Sequence, residues 1–187
     1  MILTLTPNPS TDLTLTLGEQ LQRDSVQRLQ SVTSVAGGKG INVSNACTLA
    51  GVDTLALFPA AASDPFLELL KAINIRHQAI QNDGAVRTNT TITEPDGTTT
   101  KLNGPGSLLS DAARAEVERT LITAAKEATW VVMSGSLPPG APTDWYSALT
   151  AQLRNAYPHI NIAVDTSDAP LLSLAENLDS AAQTVIK

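Results

Sequence analysis

Apolar and polar positions alternate with two different periods along this chain, and the change of period marks out its elements. Ile2 to Thr6 is a short apolar run stopped by Pro7, Asn8 and Pro9, the signature of a buried strand. Leu13, Leu15 and Leu17 then alternate with Thr14 and Thr16, which predicts a strand with one face buried. After a polar loop, Ser25 to Val35 alternates more weakly and leads into a glycine turn. Ile41 to Ala50 carries helical spacing and meets a stop at Gly51. Asp53 to Phe58 predicts a strand, Ser63 and Pro65 a helix start that continues from Phe66 to Ile73, and Ile75 to Ile80 another strand. Val86 to Thr93 and Thr98 to Leu102 are rich in β-branched residues and flank Glu94-Pro95-Asp96-Gly97, a hairpin signal closed by Asn103 to Gly106. Ser110 caps a helix reaching about Ala128. Trp130 to Met133 is an apolar strand followed by the loop Ser134 to Gly140. A helix from Thr143 or Asp144 to about Tyr157 follows, then a strand from Ile160 to Val164. Ala169 to Ala175 is helical, and Thr184 to Ile186 begins a further strand.

Strand and helix alternate after Ala36, which predicts an α/β fold, a parallel sheet with helices on both faces. The hairpin and the Leu13 strand are threonine-rich and polar. They predict a small sheet separate from the main core, with strands over about 12–35 and 86–104. No internal repeat is present, and the 187 residues suit a single domain.

Composition narrows what such a domain can do. Hydrophobic residues make up 42% and charged residues 16%, enough apolar surface for a buried core. Aromatics are only 3%, too few for base-stacking platforms, and the formal net charge of −6 argues against nucleic-acid or membrane-surface partners. Cys47 is the only cysteine, so neither an internal disulfide nor a cysteine metal site is expected. It reads as a small buried residue on its helix. The start MILTLTPNPSTD lacks the basic and apolar regions of a signal peptide, so the expected setting is cytoplasmic.

Candidate chemistry gathers at strand ends. Parallel sheets bind ligands beyond the carboxyl ends of their strands, where Asn8 to Asp12, Asn103 to Gly106, Ser134 to Gly140 and Asp165 to Ser167 fall. Asp12 can accept from two neighbouring hydroxyls, although aspartate after Pro-Asn-Pro is more often a turn residue. Arg87, beside Asn89 on a strand expected to be exposed, carries the forked donor that suits phosphate. In Ala36 to Ala46, glycines crowd Lys39 at the start of a helix, an arrangement that points free N–H groups and a positive charge at a ligand. A nucleotide-phosphate loop of the Gly-Lys-Ser/Thr kind is excluded, because Gly40 follows Lys39. A dinucleotide fingerprint should follow the first strand, and this turn comes well after it. Ser134 and Ser136 lack the glycine spacing of a nucleophile elbow. His77 and His159 stand apart from other metal-ligating residues.

Together, TPNPSTD (Thr6 to Asp12), AGGKGINVSNA (Ala36 to Ala46), RTNTTI (Arg87 to Ile92), KLNGPG (Lys101 to Gly106), SGSLPPG (Ser134 to Gly140) and DTS (Asp165 to Ser167) resemble, in order and spacing, the PfkB branch of the ribokinase-like carbohydrate kinases. The opening TPNP and EPDGTTTKLN are most similar to the bacterial 1-phosphofructokinases. Tagatose-6-phosphate and fructose-6-phosphate kinases of the same branch are the near alternatives. The resemblance implies a Rossmann-type parallel sheet with a small β-sheet lid, and ATP-dependent, Mg2+-assisted phosphorylation of fructose 1-phosphate to fructose 1,6-bisphosphate. It implies sugar-phosphate contacts from Asp12, Gly37, Gly38, Lys39, Gly40, Asn42, Arg87, Asn89, Asn103 and Ser136. A nucleotide contact would come from Lys187, and a homodimer contact through the lid.

The sequence departs from the family pattern in three places. The family carries its catalytic base in a Gly-Ala-Gly-Asp stretch near the C-terminus, and no such stretch occurs here. On the resemblance, therefore, the nucleotide half is missing, no catalytic residue is assigned, and these residues alone are expected to be inactive. Gly104 stands where relatives usually have Glu, and Ala60-Ala61-Ala62 replaces a usual Gly-Gly turn. The contrasting expectation is a non-catalytic sugar-phosphate-binding protein.

Overall fold

The computed structural model describes residues 1–177 and 185–187. Strand β1 (Ile2–Leu5) lies inside a parallel sheet, and glycine-flanked β2 (Ser10–Leu17) and β3 (Leu29–Gly37) leave that sheet to form a second one. The chain then runs through α1 (Lys39–Leu49), β4 (Thr54–Pro59), α2 (Phe66–Ala72) and β5 (His77–Ile80). It crosses back as β6 (Arg87–Thr93) and β7 (Thr99–Asn103), and continues with α3 (Asp111–Ala125), β8 (Trp130–Ser134), α4 (Trp145–Ala156), β9 (Asn161–Asp165), α5 (Asp168–Glu176) and β10 (Val185–Ile186). The main sheet has the order β10-β9-β8-β1-β4-β5, with every pairing parallel. The small sheet has the order β3-β2-β6-β7 and is mixed, because β2 pairs parallel with β6.

Alternation along β1 explains the layers. Leu3 and Leu5 point into the larger core cluster with Val117, Leu121, Met133, Tyr146, Leu149 and Val164, beneath α3 and α4. Thr4 points the other way and bonds the Ser44 hydroxyl of α1 at 2.8 Å. On that opposite face Ile41, Ala56, Phe58, Phe66 and Leu70 form the second cluster. Helices therefore cover both faces, as the alternation of strand and helix predicts.

Local chemistry sets the element ends. Ser110 Oγ accepts the Ala113 N–H at 3.1 Å, so the expected cap of α3 is present. Gly51, at φ +76, ends the α1 turn. At α2 the side chain satisfying the first turn is Asp64, whose Oδ1 accepts from the Phe66 N–H at 2.9 Å, rather than Ser63. A carboxylate accepts more strongly than a hydroxyl and also meets the positive helix end. Strand β3 begins at Leu29, later than the alternation from Ser25 suggests, because Ser25 and Gln27 bond back to Gln22 and Gln20 in the preceding loop. Cys47 is half-buried rather than buried. Of the strand expected over Thr184 to Ile186, Val185 and Ile186 form β10, and Thr184 lies outside the described residues. No helix among the described residues is long and apolar enough to cross a membrane.

Candidate functional site

A cavity of about 370 Å3 opens where the small sheet meets the carboxyl ends of β1, β8 and β9. The small sheet supplies one wall through its register. Ser10 stands opposite Arg87, and Asp12 opposite Asn89, which in turn stands opposite Asn103. Residues paired across strands, and those two apart along a strand, share a face. Ser10, Asp12, Arg87, Asn89 and Asn103 are therefore presented together, and all five line the cavity. The main sheet supplies the opposite wall: Asn8 after β1, Gly135 and Ser136 after β8, and Ser167 after β9, with Gly38, Lys39 and Asn42 from the start of α1. A shallower depression of about 520 Å3 lies at the amino ends of β8 and β9, among residues such as Lys126, Tyr157 and His159. It is the wrong end of a parallel sheet for a substrate site.

Each polar group in the cavity has a defined hydrogen-bonding role. Asp12 Oδ1 accepts from Ser10 Oγ at 2.7 Å and from Asn89 Nδ2 at 3.3 Å. These bonds aim the carboxylate and leave Oδ2 to accept from a ligand. With its amide nitrogen committed, Asn89 keeps Oδ1 as a buried acceptor without a partner among the described residues. Asn8 Nδ2 donates to the Pro105 carbonyl at 3.1 Å and to Ser136 Oγ at 3.4 Å. Ser136 thus keeps its own hydrogen to donate. Arg87, expected on an exposed strand, is instead half-buried, because it sits at the seam of the two sheets. Its Nη1 donates to the Gly104 carbonyl at 3.1 Å, and its Nε is buried without a partner. Burial pulls the Arg87 guanidinium below its ordinary range, and the charge of Asp12 opposes that shift. Buried donors and acceptors without partners are uncommon, and on a cavity wall they are open to a ligand or a water.

The glycine turn divides into two jobs. Gly38, at φ +117, and Lys39 face the cavity. Gly37 and Gly40 stand behind it. A Cβ on Gly37 would lie closer than 3.0 Å to the Asp12 carboxylate, and one on Gly40 would lie 2.9 Å from the Leu5 carbonyl oxygen. These two glycines let Asp12 and the start of α1 approach the end of β1. Lys39 Nζ bonds Asp165 Oδ1 at 2.9 Å, joining the glycine turn to the end of β9 across 126 positions of sequence. The Gly135 carbonyl accepts from the Tyr146 hydroxyl at 2.9 Å and from Thr166 Oγ1 at 3.1 Å, which fixes the loop carrying Ser136. Burial pushes the Tyr146 phenol far up, so it remains a donor at ordinary pH.

The structure thus brings Asp12, Gly38, Lys39, Asn42, Arg87, Asn89, Asn103 and Ser136 to one cavity. Lys187 is exposed and does not line it. Its main chain bonds Val164 and Thr166, placing it beside the 165–167 loop. Asn8, Ser10, Gly135 and Ser167 line the cavity without having been singled out individually, although all four lie in the expected strand-end stretches. Ser10 carried one readable signal, its place two residues before Asp12 on the same strand face. No three His, Cys, Asp or Glu side chains converge as a metal site among the described residues. They therefore form no metal cage made of protein ligands alone.

A parallel sheet with a polar, cationic and acceptor-lined cavity at its carboxyl ends defines a small-molecule-binding α/β domain suited to a hydroxylated anion. Residues 8–186 match the pfkB family carbohydrate kinase model, and the chain belongs to that family. It is 35% identical over 175 residues to a 1-phosphofructokinase of Xanthomonas campestris pv. campestris, covering 91% of this chain and 54% of the relative. It is 34% identical over 149 residues to a tagatose-6-phosphate kinase of Staphylococcus epidermidis, covering 79% of this chain and 47% of the relative. The chain spans about half the length of these curated relatives. A crystal structure of phosphofructokinase-2 from Escherichia coli in complex with substrates and products superposes with a TM-score of 0.88 at 25% identity, over 99% of this chain and 59% of that one. The fold is therefore the ribokinase-like sheet with its separate small sheet, as the motif pattern implies.

Proposed function

We propose that this chain forms the acceptor-binding part of an ATP-dependent sugar-phosphate kinase, with fructose 1-phosphate as the acceptor and fructose 1,6-bisphosphate as the product. The observation that carries the reading is the set of open hydrogen-bonding groups in one cavity: acceptors at Asp12 Oδ2 and Asn89 Oδ1, donors at Arg87 Nε and Ser136 Oγ. Neighbouring hydroxyls satisfy the first pair, and a phosphate satisfies the guanidinium. Lys39, Asn42 and Asn103 complete the acceptor site, with Gly37, Gly38 and Gly40 shaping its wall. Lys187, beside the 165–167 loop, would contact the nucleotide. ATP, when bound, would supply the phosphoryl group. The small sheet acts as a lid that excludes water, which would otherwise compete for that group. The relatives support a sugar phosphate and leave tagatose 6-phosphate and fructose 6-phosphate as the other acceptors.

No Gly-Ala-Gly-Asp stretch occurs in the 187 residues, which favours binding without turnover by these residues alone, the behaviour also of a non-catalytic sugar-phosphate-binding protein. Calorimetry on the 187-residue chain tests the reading. Fructose 1-phosphate is expected to bind at least about tenfold more tightly than fructose, the margin of a charge-assisted guanidinium contact. Equal affinity for the two would reject the phosphate assignment, and release of ADP in a coupled assay would reject inactivity.

The outer face of the small sheet carries Leu13, Leu15, Val32, Ile92 and Leu102, with Val32 55% and Leu102 57% exposed. We read it as the contact face of a homodimer. Sedimentation velocity should show a dimer that Leu102→Lys converts to monomer. A monomeric wild-type chain at micromolar concentration would count against this face.

A further inference from the structure

The small sheet reaches Arg87 through the crossing at residues 81–86, and one buried carboxylate holds the end of that crossing. Asp64, 9% exposed, follows β4. Its Oδ1 accepts from the Phe66 N–H at 2.9 Å, and its Oδ2 accepts from the Val86 N–H at 2.7 Å. The Val86 side chain packs against the cluster containing Phe58, Phe66 and Leu70. The next residue is Arg87, the first of β6. Among the described residues its guanidinium bonds the Gly104 carbonyl, and its Nε is buried without a partner. With so little holding the side chain, its aim depends on where the backbone at 86–87 sits.

We propose that Asp64 is a positioning residue for Arg87: by accepting the Val86 N–H it fixes the backbone from which the guanidinium reaches the ligand's phosphate. The inference rests on the reading of Arg87 given under Proposed function. A carboxylate is required because both partners are donors. An amide at position 64 accepts with one atom and turns an NH2 group toward the other N–H, leaving that N–H without an acceptor. The helix start and the lid strand then compete for a single oxygen.

The test uses the 15N-labelled 187-residue chain and two variants. Asp64→Asn is expected to speed hydrogen exchange at the Val86 amide and at Arg87 Nε–H by about tenfold, and to raise the dissociation constant for fructose 1-phosphate by about the same factor. Glu68→Gly weakens the same helix at a side chain that is 72% exposed and, among the described residues, bonded to Lys71 alone. It should leave both readouts at the wild-type level. Unchanged Arg87 Nε–H exchange in Asp64→Asn overturns the proposal, and so do equal losses in both variants, which would make Asp64 a helix cap and nothing more. If the wild-type chain does not bind fructose 1-phosphate, the functional reading fails, while the Arg87 exchange rate still decides the role of Asp64. Should Asp64→Asn fail to fold, Asp64→Ser, which keeps one acceptor for the helix amide, is read in the same way.

Discussion

Gly37→Ala is expected to lower the affinity for fructose 1-phosphate by about 10- to 100-fold while leaving the fold intact, the size of effect of losing hydrogen bonds to a charged carboxylate. Gly37 ends β3 directly opposite Ser10, and its backbone is not in the left-handed region that restricts other residues. The strand can therefore accept alanine. The ligand site cannot, because the added Cβ would fall closer than 3.0 Å to the Asp12 carboxylate. Asp12 must rotate or retreat, and it then loses the bonds from Ser10 Oγ and Asn89 Nδ2 that aim it. Circular dichroism should match wild type while calorimetry shows the loss. Wild-type affinity in Gly37→Ala would mean that the Asp12 carboxylate does not touch the ligand.

Phe58→Ala carries the largest expected effect on stability. Phe58 is 0% exposed at the centre of the second core cluster. Its ring meets Phe66 edge-on at 5.4 Å and lies 5.7 Å from the His77 ring. Truncation removes those contacts and leaves a cavity between β4 and α2, for a loss of about 3–5 kcal/mol. For a chain of this size that lowers the midpoint of thermal unfolding by about 10 °C. Phe58→Leu, which fills most of the space, should lose about half as much. Leu49→Ala, at a side chain 82% exposed, should stay within about 0.5 kcal/mol of wild type. A small change in Phe58→Ala would show that the face under α1 and α2 contributes little to folding.

Much of this molecule is legible before any coordinates are known, for identifiable reasons. Apolar runs such as Leu55 to Phe58 and Trp130 to Met133 are at least half-buried at every position, because helices cover both faces of the sheet, so their strands announce themselves without alternation. Threonine alternating with leucine over Leu13 to Leu17 predicts a strand with one face buried, but Thr11 to Thr16 are all half-buried, because Leu13 and Leu15 lie on the outer face of the small sheet and the alternate positions face the cavity side. The strand-end stretches were legible as a group because a parallel sheet collects its carboxyl ends on one side. Asp12, Arg87 and Ser136 are far apart in sequence and meet for that reason. Asp64 was less legible. As the residue before Pro65 it looks like part of a helix start, and nothing local says that its second oxygen serves Val86, 22 positions later.

Periodicity and turn chemistry are local properties, written into neighbouring residues, and they were enough to set the element order, the α/β class and the stretches from which the site is drawn. Pairing register, burial and ion pairing are long-range, and no local pattern encodes them. The row that aligns Asp12 with Asn89 and Asn103 depends on which strands become neighbours in the small sheet. The half-burial of Arg87 depends on a seam between two sheets, and the hold of Asp165 on Lys39 on β9 ending beside the glycine turn. The glycines of that turn show both sides of the division. Their need for close approach could be read from residue type alone, but Gly37 yields to the Asp12 carboxylate and Gly40 to the end of β1 only because folding brings those atoms there.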